Sequence, residues 1–254
     1  MKIRGLILIT GMLVSTCGGT ETATSTVEGL EGEVLVSAAA SLTDAFVEVE
    51  MSFEAVHPQL DIVLNLGPSS GLREQILEGA PVDVFASANP SNMDQVAEAG
   101  EVAGEAQIFV RNRLQIAVPA GNPGGVSGLD DFGRDELLIG LCAEAVPCGD
   151  FARDALANSG VTPAIDTNET DVRALLTKIE AGELDAAITY VTDIASAEGA
   201  VEGIAIPEGE NVIADYSIAV LTNAPNPDAA TVFVDFVLSA EGQTILQAFG
   251  FAAP

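Results

Sequence analysis

Four short stretches of the sequence place small or hydroxyl-bearing residues directly before a helical pattern. The first N–H groups of an α-helix have no partner within the helix, and the helix dipole makes that end positive. Helix starts therefore bind anions readily, although a single Ser or Thr there is more often an ordinary N-cap. Four such starts in one chain favour a shared anion site made of neutral donors. They are Ser41 before LTDAF, Ser69-Ser70 before GLREQI, Pro147-Cys148-Gly149 before DFARDAL, and Thr170-Asp171 before VRALL.

Catalytic chemistry finds little support in the same sequence. His57 is the single histidine and stands before Pro58 in a predicted loop, so we expect it at the surface. Ser-His or Cys-His catalysis then has no base. The phosphate-loop and zinc-protease motifs are absent, and the 38 Asp and Glu residues make any acid–base pair non-specific. We predict no enzymatic activity, no cofactor and no metal-cation site.

The charge of the chain is strongly negative, with a formal net charge of −29 from 38 acidic and 9 basic side chains. Binding to nucleic acid needs clustered Lys and Arg, and the sequence has no such cluster, so nucleic acid is excluded as a partner. Long-range attraction of anions is excluded for the same reason. The ordinary interpretation of this charge is a well-solvated surface.

The elements that would position the helix starts alternate between strands and helices. Apolar runs predict strands at 34–38, 60–66 and 82–87, each followed by a helix. The first helix, at 42–56, turns apolar residues to one face. This alternation favours an α/β layered sheet that is largely parallel, and such sheets bind ligands beyond the carboxyl ends of their strands. The apolar residues of the first helix are Ala45, Phe46, Val49 and Phe53.

The pattern restarts at Arg113 and predicts a second α/β lobe inserted into the first. Strands are predicted at 114–120 and at 186–189, and the stretch 130–143 predicts a short helix followed by a strand, with further helices after Pro147 and at 172–181. A strand at 216–223 would return the chain to the first lobe, and two helices would close it. The predicted organisation is a first lobe at 33–112, an inserted lobe at 113–211, and a hinge strand with the rest of the first lobe at 212–254.

The first 32 residues follow a different pattern. Lys2 and Arg4 precede an apolar run too short to span a bilayer, which predicts a signal peptide at 1–16. Val14-Ser15-Thr16-Cys17 resembles a bacterial lipobox with Cys17 as the lipidated residue, and a plain signal peptide is the alternative. Small, polar and acidic residues at 17–32 predict a flexible tether. Either way we expect an exported protein, lipid-anchored on the outer side of the cell membrane or periplasmic.

Export changes what the two remaining cysteines indicate. Cys142 and Cys148 are close in sequence, and an oxidising compartment favours a disulfide between them. Closing this short loop is worth about 2 kcal/mol in the chain-entropy model. The bond would lie at the third helix start.

Several motifs together resemble the molybdate-binding proteins of bacterial ABC transporters. The resemblance runs from about Val34 to the C-terminus. It implies a two-lobed periplasmic-binding-protein fold, with a mostly parallel sheet flanked by helices in each lobe and the ligand in the cleft between them. It also implies capture of molybdate, and of tungstate, for the permease of an ABC importer, and we expect a monomer. The motifs are AAASLTDAF, GPSSGLREQILEGAPVDVFASA, VPCGDFARDAL, ETDVRALLTKIEAGELDAAITYVTDIA and the closing AFGF.

The resemblance implies five residues that donate hydrogen bonds to the anion. Three would donate side-chain hydroxyls, one of them its backbone N–H as well, and two would donate backbone N–H groups alone. Cys148 stands where many relatives have alanine, which a backbone donor tolerates if its side chain points away. The implied set is Ser41 by hydroxyl and backbone N–H, Ser69 and Tyr190 by hydroxyl, and Cys148 and Val172 by backbone N–H, with Ser70 as a possible addition.

Every group in this set donates and none accepts. A fully deprotonated dianion such as molybdate suits it, whereas protonated phosphate would need an acceptor for its proton. Sulfate is also an acceptor-only dianion, so a receptor for sulfate or another tetrahedral oxyanion remains an alternative, as does a non-transport acidic surface lipoprotein. Arg73, Arg173 and Lys178 are expected to balance nearby acids outside the site.

Overall fold

The computed structural model describes residues 29–254. The predicted signal peptide (1–16), Cys17 and all but the last four residues of the predicted tether (17–32) lie outside this range. The strands are β1 Gly32–Ala39, β2 Leu60–Gly67, β3 Val84–Ser87, β4 Gln107–Pro119, β5 Ile139–Cys142, β6 Thr167–Glu169, β7 Ala186–Tyr190, β8 Val201–Ala205 and β9 Ile213–Val220. The α-helices are α1 Thr43–Val56, α2 Ser69–Leu77, α3 Pro90–Glu98, α4 Pro147–Ser159, α5 Val172–Glu180, α6 Val191–Ser196, α7 Pro227–Leu238 and α8 Ala240–Ala248.

A continuous sheet connects two lobes in the strand order β2-β1-β3-β9-β4-β7-β5-β6, and β8 also pairs with β4. The long strand β4 belongs to both lobes. Its residues 107–113 pair with β9 in the first lobe, and its residues 114–119 pair with β7 and β8 in the second. The two-lobed α/β fold expected from the resemblance is confirmed.

Parallel strands form the interior of each lobe. β1 pairs with β2 and β3 in the first lobe, and β5 pairs with β6 and β7 in the second. The antiparallel pairs all involve β4 or β9, which lie at the junction of the lobes. Because the parallel strands of each lobe end at the same edge, the loops after β1, β2, β5 and β7 all open toward the cleft.

The helix that follows β1 is fixed by an aromatic core. α1 buries the predicted face, and Phe46, Phe53 and Phe233 are each 0% exposed. The Phe53 and Phe233 rings meet edge to face with centroids 5.3 Å apart. Truncating one such ring to alanine typically costs about 3–5 kcal/mol. His57 ends this helix half-buried, with its ring 4.5 Å from that of Phe53, and not as the surface residue we expected.

The structure differs from the sequence-based expectation at the two strands that join the lobes and in two short strands. β4 begins at Gln107, seven residues before the predicted strand at 114–120. The hinge strand runs from Ile213 to Val220 and not over 216–223, because it pairs with β4 from Ile213 onward and with β3 up to Val220. β6 and β8 were not predicted. They are three and five residues long and only partly buried, so they carry no alternating apolar pattern.

The two closing helices return to the first lobe. α7 contacts β9, and α8 contacts α1. Within residues 29–254, no single helix is long and apolar enough to cross a membrane, and α7 and α8 reach that length and composition only as a pair bent by 61°.

Candidate functional site

A small cavity lies between the lobes at the carboxyl ends of the parallel strands. Its volume is about 20 Å³, counted as the space that the centre of a water-sized sphere can occupy. One water needs roughly 10–15 Å³ by this measure, so the cavity suits a solute of very few heavy atoms. The first lobe lines it with Ala39, Ala40, Ser41, Gly67, Pro68, Ser69 and Ala88. The second lobe lines it with Val146, Pro147, Cys148, Asp171, Val172 and Tyr190.

All five predicted donors lie in this lining, and Ser70 does not. Ser70 is buried in the first turn of α2, but it is not among the residues that line the cavity. Among the described residues, no Lys, Arg or His lines the cavity either. An anion here would be held by neutral donors.

Ser41 reaches the cavity on a short 3-10 turn between β1 and α1. This turn, Ala40–Leu42, begins without a side-chain cap. Ser41 is therefore not the N-cap that its position could have indicated. Its Oγ lies 2.7 Å from the hydroxyl of Tyr216, which belongs to the hinge strand β9.

Ser69 is the first residue of α2, behind the extended residue Pro68, and this helix start also lacks a side-chain cap. The backbone N–H of Ala88 donates to Ser69 Oγ at 3.0 Å. Because that oxygen already accepts a hydrogen bond, the proton of the Ser69 hydroxyl is free to be donated to a ligand.

The Cys148 backbone lies at the start of α4, held by a disulfide. Cys142 at the end of β5 and Cys148 are bonded, with their Cα atoms 5.8 Å apart. Pro147 is in the first turn of α4, where its missing N–H costs nothing. The loop packs so closely that a Cβ at Gly149 would overlap the carbonyl oxygens of Ala143 and Cys142. The disulfide and the close packing at Gly149 together fix the direction of the Cys148 backbone N–H.

Val172 begins α5, whose N-cap is Asp171. The Asp171 carboxylate accepts from the N–H groups of Arg173 and Ala174, at 2.8 and 2.9 Å. Because Asp171 occupies these two N–H groups, the Val172 N–H is the group in the first turn of α5 that can donate to a ligand. The carboxylate lines the cavity, but its hydrogen bonds run to its own helix.

Tyr190 ends β7 and is 1% exposed. Within residues 29–254, its hydroxyl has no hydrogen-bond partner. Burial raises the pKa of this phenol well above its usual value, so it keeps its proton and can donate. Leaving such a group unpaired costs about 1–3 kcal/mol, which a bound acceptor would recover.

The three basic side chains considered as direct ligands pair elsewhere. Arg73 donates to Asn92 Oδ1 at 2.8 Å, and Lys178 forms an ion pair with Glu169 at 2.6 Å. Arg173 crosses between the lobes: it forms an ion pair with Asp44 on α1 and lies 3.4 Å from the carbonyl oxygen of Ala40.

The model of a family described as bacterial extracellular solute-binding proteins matches residues 34–252. The chain belongs to this family. It is 36% identical to a protein of Mycobacterium tuberculosis H37Rv named molybdate-binding protein ModA, over 97% of both chains.

Two solved structures are similar to this solute-binding protein. One is the substrate-binding domain of a putative molybdenum ABC transporter from Clostridium difficile, with a TM-score of 0.67 and 28% identity over 87% of this chain and 99% of that one. The other is the sulfate-binding protein SubI of Mycobacterium tuberculosis H37Rv, with a TM-score of 0.79 and 17% identity over 87% of this chain and 86% of that one. The latter likeness supports the fold alone.

Sequence reasoning missed three residues that support the site of this solute-binding protein. Tyr216 holds the Ser41 hydroxyl, and Asp44 pairs with Arg173. Asp193 accepts from the backbone N–H of Tyr190 at 3.0 Å. Burial raises the pKa of Asp193 to about 7, although Arg173 acts in the opposite direction. A signal for Tyr216 was present: it is one of two tyrosines in the chain, and the other is Tyr190.

Proposed function

We propose that this protein captures molybdate, and tungstate with it, in the cavity between its lobes and delivers the anion to the permease of an ABC importer. One observation carries the proposal: Ser41, Ser69, Cys148, Val172 and Tyr190 all line a single cavity of about 20 Å³. The name of the relative that is 36% identical supports the same ligand.

The chemistry of the donors selects the class of anion. Two serine hydroxyls, one tyrosine hydroxyl and two backbone N–H groups would each give a proton to the ligand. A dianion with four unprotonated oxygens accepts all of these bonds, whereas hydrogen phosphate brings a proton for which the set offers no acceptor. Tungstate has nearly the same size and charge as molybdate, so we expect comparable affinities.

Sulfate is the second candidate, because it also accepts every hydrogen bond of this donor set. It is smaller than molybdate, so selection between the two would rest on the size of the closed cavity. The small size of the cavity argues against organic phosphates as ligands of this site.

Delivery follows from closure of the two lobes around the anion. Ser41 and Ser69 belong to the first lobe, and the other donors belong to the second. An anion that bonds to both stabilises the closed form by its differential affinity. We further propose that a lipid anchor at Cys17 keeps the protein at the outer face of the membrane, beside the permease.

Isothermal titration of the purified protein with molybdate, tungstate, sulfate and phosphate tests this function. We expect tight and similar binding of molybdate and tungstate, and no competition by sulfate or phosphate at equal concentration. A thermal-shift panel gives an independent readout, since a ligand at 100 times its dissociation constant adds about 2.7 kcal/mol of stability. Absence of any molybdate effect in both assays would refute the proposal.

A further inference from the structure

Tyr216 is a buried side chain in contact with proposed donors from both lobes, and it does not itself line the cavity. It is 0% exposed in the middle of β9, where it pairs with Val110 of β4 at the junction of the lobes. Its hydroxyl lies 2.7 Å from Ser41 Oγ. Its ring meets the ring of Tyr190 edge to face, with centroids 6.0 Å apart.

The hydrogen bond between Tyr216 and Ser41 can run in either direction, and the direction decides what Ser41 offers to a ligand. If Ser41 donated to Tyr216, its oxygen lone pairs would face the cavity. If Tyr216 donates, Ser41 Oγ is occupied as an acceptor and its own proton is free for the ligand.

The neighbouring serine provides a reference for this choice. At Ser69 the partner is the backbone N–H of Ala88, which can only donate, so the Ser69 proton is left for the cavity. Burial raises the pKa of Tyr216 above its usual value, and the phenol therefore keeps a proton that needs an acceptor. Ser41 Oγ lies at hydrogen-bond distance to take it.

We propose that Tyr216 is a positioning residue that fixes Ser41 as a donor and thereby makes the cavity select acceptor-only anions over protonated ones. This inference rests on the proposed function. Without the Tyr216 hydroxyl, Ser41 could rotate, present a lone pair and accept the proton of hydrogen phosphate.

The test is titration of Tyr216→Phe with molybdate, sulfate and inorganic phosphate at neutral pH. Loss of one hydrogen bond should lower the affinities for molybdate and sulfate by a similar factor, about 2- to 10-fold. The affinity for phosphate should fall less or should rise. The ratio of molybdate to phosphate affinity therefore falls, while the ratio of molybdate to sulfate affinity is unchanged. Equal changes for all three anions would overturn the proposal, because a merely structural defect would not discriminate between them.

Ser217→Ala is the matched control. Its hydroxyl is buried on the next residue of the same strand and has no hydrogen-bond partner within residues 29–254, so both ratios should stay at the wild-type values. Failure of wild-type protein to bind molybdate would count against the proposed function, which is a separate result.

A second variant keeps the inference testable if Tyr216→Phe does not fold. Ser41→Ala removes the proton that Tyr216 is proposed to direct, so it too should lower the molybdate-to-phosphate ratio. No fall in Ser41→Ala would contradict action through Ser41. Where Tyr216→Phe does fold, adding it to Ser41→Ala should change that ratio no further, and a further fall in the double variant would contradict action through Ser41 as well.

Discussion

The two lobes contribute to the cavity by different chemistry. The first lobe offers serine hydroxyls, and each serine oxygen has a hydrogen-bond partner elsewhere in that lobe: the Tyr216 hydroxyl for Ser41, and the Ala88 N–H, which donates, for Ser69. The second lobe offers mainly backbone N–H groups, at Cys148 and Val172, whose directions depend on a disulfide and an N-cap. Anion binding should therefore depend on side-chain identity in the first lobe and on the shape of the loops in the second lobe.

Removing a first-lobe hydroxyl should have the largest effect on binding. Ser69→Ala deletes a donor to a charged ligand, so we expect molybdate affinity to fall about ten- to a hundredfold. Calorimetric titration with molybdate measures this change in affinity. Loss of the acceptor for the buried Ala88 N–H should lower the stability of the fold. The adjacent Ser70→Ala, outside the lining, should change affinity less than twofold. Equal losses for both variants would mean that α2, and not the Ser69 hydroxyl, matters.

The second lobe should respond to loop shape more than to side chains. Replacing Cys142 and Cys148 together by alanine keeps the backbone donor but removes the disulfide, so we expect a loss of about 2 kcal/mol in the free energy of unfolding and a several-fold loss of affinity. Chemical reduction of the wild type should do the same. Val172→Ala keeps its N–H and should bind nearly as the wild type does. Unchanged affinity after reduction would contradict a role of the disulfide in binding.

The ion pair that joins the lobes should have a smaller effect. Arg173 on α5 contacts Asp44 and Ala40 of the first lobe, but both charged side chains are partly exposed. Such pairs are worth up to about 1 kcal/mol, so Arg173→Ala should weaken binding by at most about fivefold, equally for molybdate and sulfate, and less at high salt. Arg73→Ala, whose side chain stays within the first lobe, is the control. A much larger loss would indicate that Arg173 contacts the anion directly.

The pH dependence of stability tests the support beneath Tyr190. The native pKa of Asp193 is about 7 and its usual value is 3.8, so the native state holds this proton between these pH values and the unfolded state does not. The contribution of Asp193 to stability is therefore present below about pH 4 and is lost as the pH rises to about 7.

Urea unfolding of the wild type and Asp193→Asn at several pH values measures this contribution. The stability of the wild type relative to the variant should decline between pH 4 and pH 7, because only the wild type carries the titrating carboxyl. A difference that stays constant over this range would mean that Asp193 is not protonated in the native state.

Much of this site was predictable because its parts are local in sequence. A strand end followed by a helix start is encoded by consecutive residues, as at Ser69 or Cys148. The resemblance to a family then indicated which of these residues would donate to the anion. What was missed depends on contacts that no local pattern records. Ser41 and Tyr216 are 175 residues apart, and Asp44 and Arg173 are 129 apart. The short edge strands β6 and β8 were missed because partial burial leaves no apolar period.

The most direct test of the account is a crystal structure of the protein with molybdate bound. We predict one anion between the lobes, with Ser41, Ser69 and Tyr190 donating through hydroxyls and Cys148 and Val172 donating through backbone N–H groups, each at ordinary hydrogen-bond distance. An anion bound elsewhere, or held in the cleft by the guanidinium groups of Arg73 or Arg173, would contradict it.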